Sequence, residues 1–140
     1  MMETEVKRFQ EAVQTFMHKL QNALADAFRD SPLTLPQMFM LKQVQLNGPC
    51  KLAAIAEKME VKPSAVTVMI DRLENGGYVL RHHDTVDRRS VLVEITPRGE
   101  EALEEGHRVR EELLGRYLTR LTPEEVVTIT ELMEKLTSES

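Results

Sequence analysis

Hydrophobic residues recur along this chain at helical spacing over long stretches, and one short segment alternates instead. Val6, Phe9, Val13, Phe16, Leu20 and Ala27 follow one another at helical steps, with Leu24 and Phe28 widening the stripe. The spacing predicts a long amphipathic helix ending near Asp30-Ser31-Pro32. Thr34-Leu35-Pro36-Gln37 reads as a capping box with proline in the first turn. It starts a second helix, with Met38, Leu41 and Val44 inward, that halts at Asn47-Gly48-Pro49. A third helix, Leu52 to Met59, puts Leu52, Ile55, Ala56 and Met59 on one face. Glu60-Val61-Lys62-Pro63 is then a tight connection in which Val61 is expected to plug the space between the flanking helices. A fourth helix, Ser64 to Asn75, turns Val66, Met69, Ile70 and Leu73 inward and stops at Gly76-Gly77.

The period changes at Tyr78. Tyr78 to His82 and Val91 to Ile95 are expected to pair as a hairpin, with Val91, Val93 and Ile95 on one face. The connecting loop of about eight residues is longer than the usual two to five, which suggests a role outside the core. Thr96-Pro97 opens a helix running through Leu103, Val109, Leu113 and Tyr117. Thr122-Pro123-Glu124-Glu125 is a second capping box, starting a last helix expected to bury Val126, Ile129, Met133 and Leu136.

These elements predict a mainly α fold with a small β-hairpin wing. An arginine pair, Arg88-Arg89, on a hairpin beside a short helix is the geometry of a winged helix-turn-helix, here expected to carry N- and C-terminal dimerisation helices. Residues 1–30 and 98–140 would form the helical dimerisation region, and residues 31–97 the DNA-binding region. The terminal helices are striped yet lack a partner in the small central unit, and a second copy would cover them. A two-fold pair would present two reading helices to a pseudo-palindromic operator on double-stranded DNA, with half-sites ~34–36 Å apart.

Composition narrows the class. The chain has 140 residues, 41% apolar and 29% charged, which fits a soluble globular protein. Its apolar runs fall short of the ~18 residues of a membrane span, and the charged N-terminus lacks a secretory apolar core. A cytoplasmic setting is expected, and the single Cys50 suits it. The net charge of −5 is unevenly spread. Residues 48–99 hold eight Lys/Arg against seven Asp/Glu, a balance of +1, which leaves −6 for the remainder. A DNA-reading middle between acidic ends is compatible with that division.

Candidate chemistry concentrates on the fourth helix and the wing. Ser64 and Thr67 lie at a helix start, where hydroxyls and backbone N–H groups can hold a phosphate or base edge. Ser64 could equally serve only as the helix cap. Lys62 and Arg72 flank that helix and are expected as phosphate contacts, although Lys62 could equally be a solvated surface lysine. The expected DNA-facing set is Lys62, Pro63, Ser64, Ala65, Thr67, Val68 and Arg72, joined by Arg88 and Arg89 from the wing. Asp87 beside that arginine pair would be repelled by phosphate. It is therefore read as a support that accepts hydrogen bonds from Arg81, Arg89 or loop backbone.

Other functions find little here. Nucleophile elbow, glycine-rich phosphate loop and ordered Ser/His/Asp pattern are all missing, so an enzyme is not expected and no cofactor is called for. Adjacent His82 and His83 point to opposite faces of a strand and do not make a metal site. Cys50 falls on a short strand before the third helix and is read as a buried, inert thiol. The methionines could line an adaptable ligand cavity, with core filling as the default reading, and the sequence does not separate the two. The rival reading is a helical protein–protein module that keeps a winged fold without reading DNA.

Asp87-Arg88-Arg89, followed by Val93, Ile95, Thr96 and Gly99, resembles the wing signature of the MarR family of bacterial regulators. Val61 to Arg81, VKPSAVTVMIDRLENGGYVLR, is similar to that family's recognition helix and first wing strand. The resemblance covers nearly the whole chain. It implies an obligate homodimer that represses or activates nearby genes, often relieved by a small lipophilic or phenolic effector or by oxidation. Thiol-sensing members carry their reactive cysteine near the N-terminal helix, and this chain has none there. Many members place arginine directly after the threonine of the reading helix. Val68 stands there instead, and it could touch a thymine methyl but not a phosphate or guanine.

Overall fold

The capping signals mark where helices start in the computed structural model, which describes residues 3–139. The elements in chain order are α1 (Glu3–Ala27), α2 (Leu35–Asn47), β1 (Cys50–Lys51), α3 (Leu52–Met59) and α4 (Pro63–Asn75). β2 (Val79–His83), β3 (Val91–Ile95), α5 (Pro97–Leu118) and α6 (Pro123–Thr137) follow. The chain separates into two units, with the divisions falling inside α1 and α5. One unit is Ala25–Arg108, and the other comprises α1 up to Leu24 together with the chain from Val109 onward.

The Ala25–Arg108 unit holds the main core. Leu33, Met40, Leu41, Val44, Ile55, Ala56, Val66, Ile70, Leu73, Tyr78, Val79 and Val93 form one buried cluster. Burying aliphatic side chains of this size stabilises a fold by roughly 1.5–3 kcal/mol each. Thr34 closes the predicted box on α2: its Oγ1 accepts from Gln37 N at 3.2 Å and its own N–H donates to Gln37 Oε1 at 2.8 Å. The inward face of α2 carries Leu41 and Val44 fully buried and Met38 partly buried against the core, as expected, and Met40 is fully buried beside them, which was not. Apolar residues occur nearly all round that helix, so spacing alone could not rank the two methionines.

α3 ends at Met59, and its cap residue Glu60 takes a φ of +55° in the three-residue connection to α4. Val61 does not plug the gap between the helices. Its side chain is 40% exposed, while its N–H donates to Ala56 O at 3.1 Å. α4 then starts at Pro63, with Lys62 as its cap residue. At the other end, Tyr78 N donates to Leu73 O at 2.9 Å and Gly77 takes φ +81°. That left-handed turn needs glycine and directs the chain into the wing.

The sheet is antiparallel in the order β1-β3-β2. Cys50 pairs with Val93 on one side of β3, and Arg81 pairs with Val93 on the other. The hairpin is therefore anchored by a third, two-residue strand. Cys50 is half-buried rather than fully buried, and burial raises its thiol pKa against the opposing pull of Lys58.

In the other unit, the rings of Phe16 and Tyr117 sit 5.6 Å apart, and Tyr117 OH donates to Lys19 O at 3.4 Å. The capping box of α6 is complete, with Thr122 Oγ1 accepting from Glu125 N at 3.1 Å and Glu125 Oε1 accepting from Thr122 N at 2.8 Å. The expected burial along α6 does not occur within one chain. Ile129, Met133 and Leu136 are exposed and Val126 is only half-covered. Val6, Phe9 and Met17 of α1 are exposed as well.

Candidate nucleic-acid interface

α4 sorts its residues by helical spacing. Val66, Ile70 and Leu73 are buried, which leaves Lys62, Pro63, Ser64, Ala65, Thr67, Val68 and Arg72 exposed on the outside. The whole expected set from the helix thus lies on its exposed surface. Val68 is 52% exposed in the middle of it, an apolar surface among polar neighbours.

Ser64 does not cap the helix. The cap position is Lys62, and no side chain there accepts a hydrogen bond from the first turn. In this respect α4 differs from α2 and α6, whose boxes are both complete. Pro63 has no N–H and Ala65 N donates to Lys62 O at 3.0 Å, so this end of α4 offers the helix dipole, the Ser64 N–H and hydroxyl, and a lysine. Thr67 Oγ1 donates to Pro63 O at 3.0 Å, which fixes the hydroxyl while leaving its oxygen able to accept.

The wing loop, residues 84–90, is closed at its neck by Asp84 N donating to Ser90 O at 2.9 Å. Asp87 plays the supporting part through the loop itself. Its carboxylate accepts from Arg89 N at 3.1 Å and from Ser90 Oγ at 3.2 Å. Arg88 and Arg89 are exposed beyond it.

Arg81 takes different partners from those expected. Its guanidinium pairs with Asp71 and, at 3.3 Å, with Glu74, and its N–H donates to Glu74 Oε2 at 3.0 Å. Both carboxylates belong to α4, so Arg81 joins the first wing strand to that helix. It also balances two negative charges that would otherwise sit on an element expected to face phosphate. Sequence reasoning missed this pairing because the residues lie seven and ten positions apart across a turn.

The base of the wing was also undervalued. Thr96 Oγ1 donates to Gly77 O at 2.6 Å and accepts from Gly99 N at 3.1 Å, while Thr96 N donates to Tyr78 O at 3.0 Å. The Arg98 guanidinium stacks 4.9 Å above the Tyr78 ring. The available signal was Thr96-Pro97, readable as a helix start but not as a clamp on the preceding strand.

His82 and His83 do not converge on one site: His82 Nε2 lies 3.4 Å from Glu94 Oε1, and His83 is exposed. Among the described residues, no group of three or more His, Cys, Asp and Glu side chains could hold a metal ion. No helix among them is long and apolar enough to cross a membrane.

Comparison with known proteins bears on this arrangement. The MarR family model matches residues 33–91, which run from the start of α2 to the start of β3. The chain is 37% identical over 125 residues to the HTH-type transcriptional repressor MdtR of Bacillus subtilis, spanning 89% of this chain and 81% of that protein. Among solved structures, YusO of Bacillus subtilis is similar at 35% identity and a TM-score of 0.84, with 96% of each chain covered. A MarR family protein from Bacillus stearothermophilus superposes with a TM-score of 0.85 at 25% identity, over 97% of this chain and 95% of the other.

Proposed function

The chain belongs to the MarR family of transcription regulators, which bind DNA and are not enzymes, and on that premise we propose a repressor acting as a homodimer on a pseudo-palindromic operator. The observation that carries the reading is the outer face of α4. Lys62, Ser64, Thr67, Val68 and Arg72 are exposed there, beside a wing that ends in Arg88 and Arg89, while Arg81 balances the two acids of the same helix. Lys62, Arg72, Arg88 and Arg89 take phosphate or the minor groove. Ser64, Thr67 and Val68 approach base edges, and Pro63 and Ala65 allow close approach of the first turn. A winged module that does not read DNA is the less favoured reading, since the curated relative is named as a repressor.

Pairing is supported by the exposed apolar side chains of α1 and α6. Val6, Phe9, Met17, Val127, Leu132, Met133 and Leu136 would leave two helices largely unburied in a lone chain. Residues 1–30 and 98–140 supply that interface, and residues 31–97 dock on DNA. A small lipophilic or phenolic effector has a candidate seat in a groove of about 450 Å³ whose lining includes Arg8, Phe16, Lys19, Tyr117 and Arg120. The paired Phe16 and Tyr117 rings, with three cations against the single carboxylate of Glu11, suit a phenolate or an aromatic carboxylate.

The test is fluorescence anisotropy on an operator duplex selected from a randomised pool by the parent protein. Arg89→Ala should weaken binding and lower the slope of log affinity against log salt by about one unit per half-site. An unchanged slope removes Arg89 from the interface. Sedimentation at micromolar concentration should give twice the chain mass, and a monomer would refute the pairing.

A further inference from the structure

We propose that Val86 is a DNA-contacting residue, the apolar member of the wing tip, packing against the deoxyribose wall of the minor groove beside the arginine pair. The inference rests on the reading of the protein as a DNA-binding regulator and adds to it a contact of different chemistry. Val86 is 93% exposed, the most open of the large apolar side chains described. Single exposed apolar residues are common, so exposure by itself decides nothing. Its setting does.

The loop that carries Val86 is built as two successive side-chain-anchored turns. Asp84 Oδ1 accepts from Val86 N at 2.9 Å, and Asp87 Oδ1 accepts from Arg89 N at 3.1 Å. Ser90 N donates to Asp87 O and Asp84 N to Ser90 O, both at 2.9 Å. The first turn presents the isopropyl group and the second presents Arg88 and Arg89, so three outward side chains share one constrained tip. Both carboxylates are folded back onto loop donors, which reduces their opposition to phosphate. Valine is stiff about χ1 and loses little freedom when it is covered.

The minor groove is about 6 Å wide, with sugar C–H walls on either side of a strongly negative floor. A guanidinium belongs on that floor and a branched apolar side chain against the wall. Proteins that enter this groove repeatedly pair cationic with apolar side chains. Val86 then supplies affinity that does not depend on counterion release, in contrast to its arginine neighbours.

The experiment compares parent, Val86→Ala, Val86→Ile and Arg89→Ala on an operator duplex selected from a randomised pool by the parent. Anisotropy is recorded over a salt series. Val86→Ala should weaken binding roughly three- to tenfold, from the loss of two partly buried methyl groups, with the salt slope unchanged. Val86→Ile should hold parental affinity. Melting of Val86→Ala should match the parent, because the side chain makes no core contact, so loss of folding does not confuse the result. Parental affinity in Val86→Ala alongside weakened Arg89→Ala would overturn the inference and leave the wing reading standing. Parental affinity in both would refute the wing reading and the inference together.

Discussion

Replacing Gly99 with alanine should destabilise the protein and displace the wing. A Cβ built there would lie 2.2 Å from Tyr78 O and 2.6 Å from Ile95 Cγ1. The isoleucine can turn aside, but the carbonyl cannot, because Tyr78 is buried and its oxygen accepts from Thr96 N at 3.0 Å. Relieving the overlap means shifting the start of α5 away from the base of the hairpin. Overpacking of this kind costs about 1–3 kcal/mol and more where backbone must move, while alanine in a helix returns roughly 0.5–1 kcal/mol. A net loss of about 2 kcal/mol follows, or a melting point lower by about 8 °C for a chain of this size. The assay is a thermal melt followed by circular dichroism at fixed protein concentration. Gly115→Ala serves as the contrast, since nothing lies within 4 Å of the added carbon. It should melt at or above the parent. A Gly99→Ala protein that melts within about 1 °C of the parent would refute the claim that this strand–helix corner is close-packed.

Two further outcomes are expected. Arg81→Met should cost about 1 kcal/mol in urea unfolding and weaken operator binding most at low salt, because Asp71 and Glu74 lose their cation; adding Asp71→Asn should recover part of the affinity. Burial raises the Cys50 thiol, so the protonated form persists above the ordinary thiol range. Alkylation at neutral pH should therefore run slower than that of a free cysteine and accelerate only at more alkaline pH, and removal of the Lys58 charge by Lys58→Met should slow it further.

The order of elements was legible because most of it depends on local rules. Thr34 with Gln37 and Thr122 with Glu125 close the boxes that their spacing implied, and Gly77 takes the left-handed turn after α4. The outer face of α4 was legible too, since one buried stripe fixes the opposite surface. What escaped depends on contacts between distant residues. Arg81 chose Asp71 and Glu74 over Asp87 because the turn at Gly76-Gly77 folds β2 back along α4. Met40 is buried more deeply than Met38, which only packs against the core, on a helix whose period could not rank them. The apolar face of α6 was read correctly as a stripe, but a single chain gives it nothing to bury against.

Lys62 precedes α4 with a side chain that accepts nothing from the first turn, its carbonyl alone taking Ala65 N at 3.0 Å. A serine or aspartate at that position would supply a side-chain acceptor and add about 1 kcal/mol to the fold. The same replacement would delete a cation and compete for the Ser64 N–H that the proposed phosphate contact uses. Heat tolerance and operator affinity therefore pull residue 62 in opposite directions, and a variant evolved for thermal endurance alone would drift toward a sturdier protein with a weaker grip.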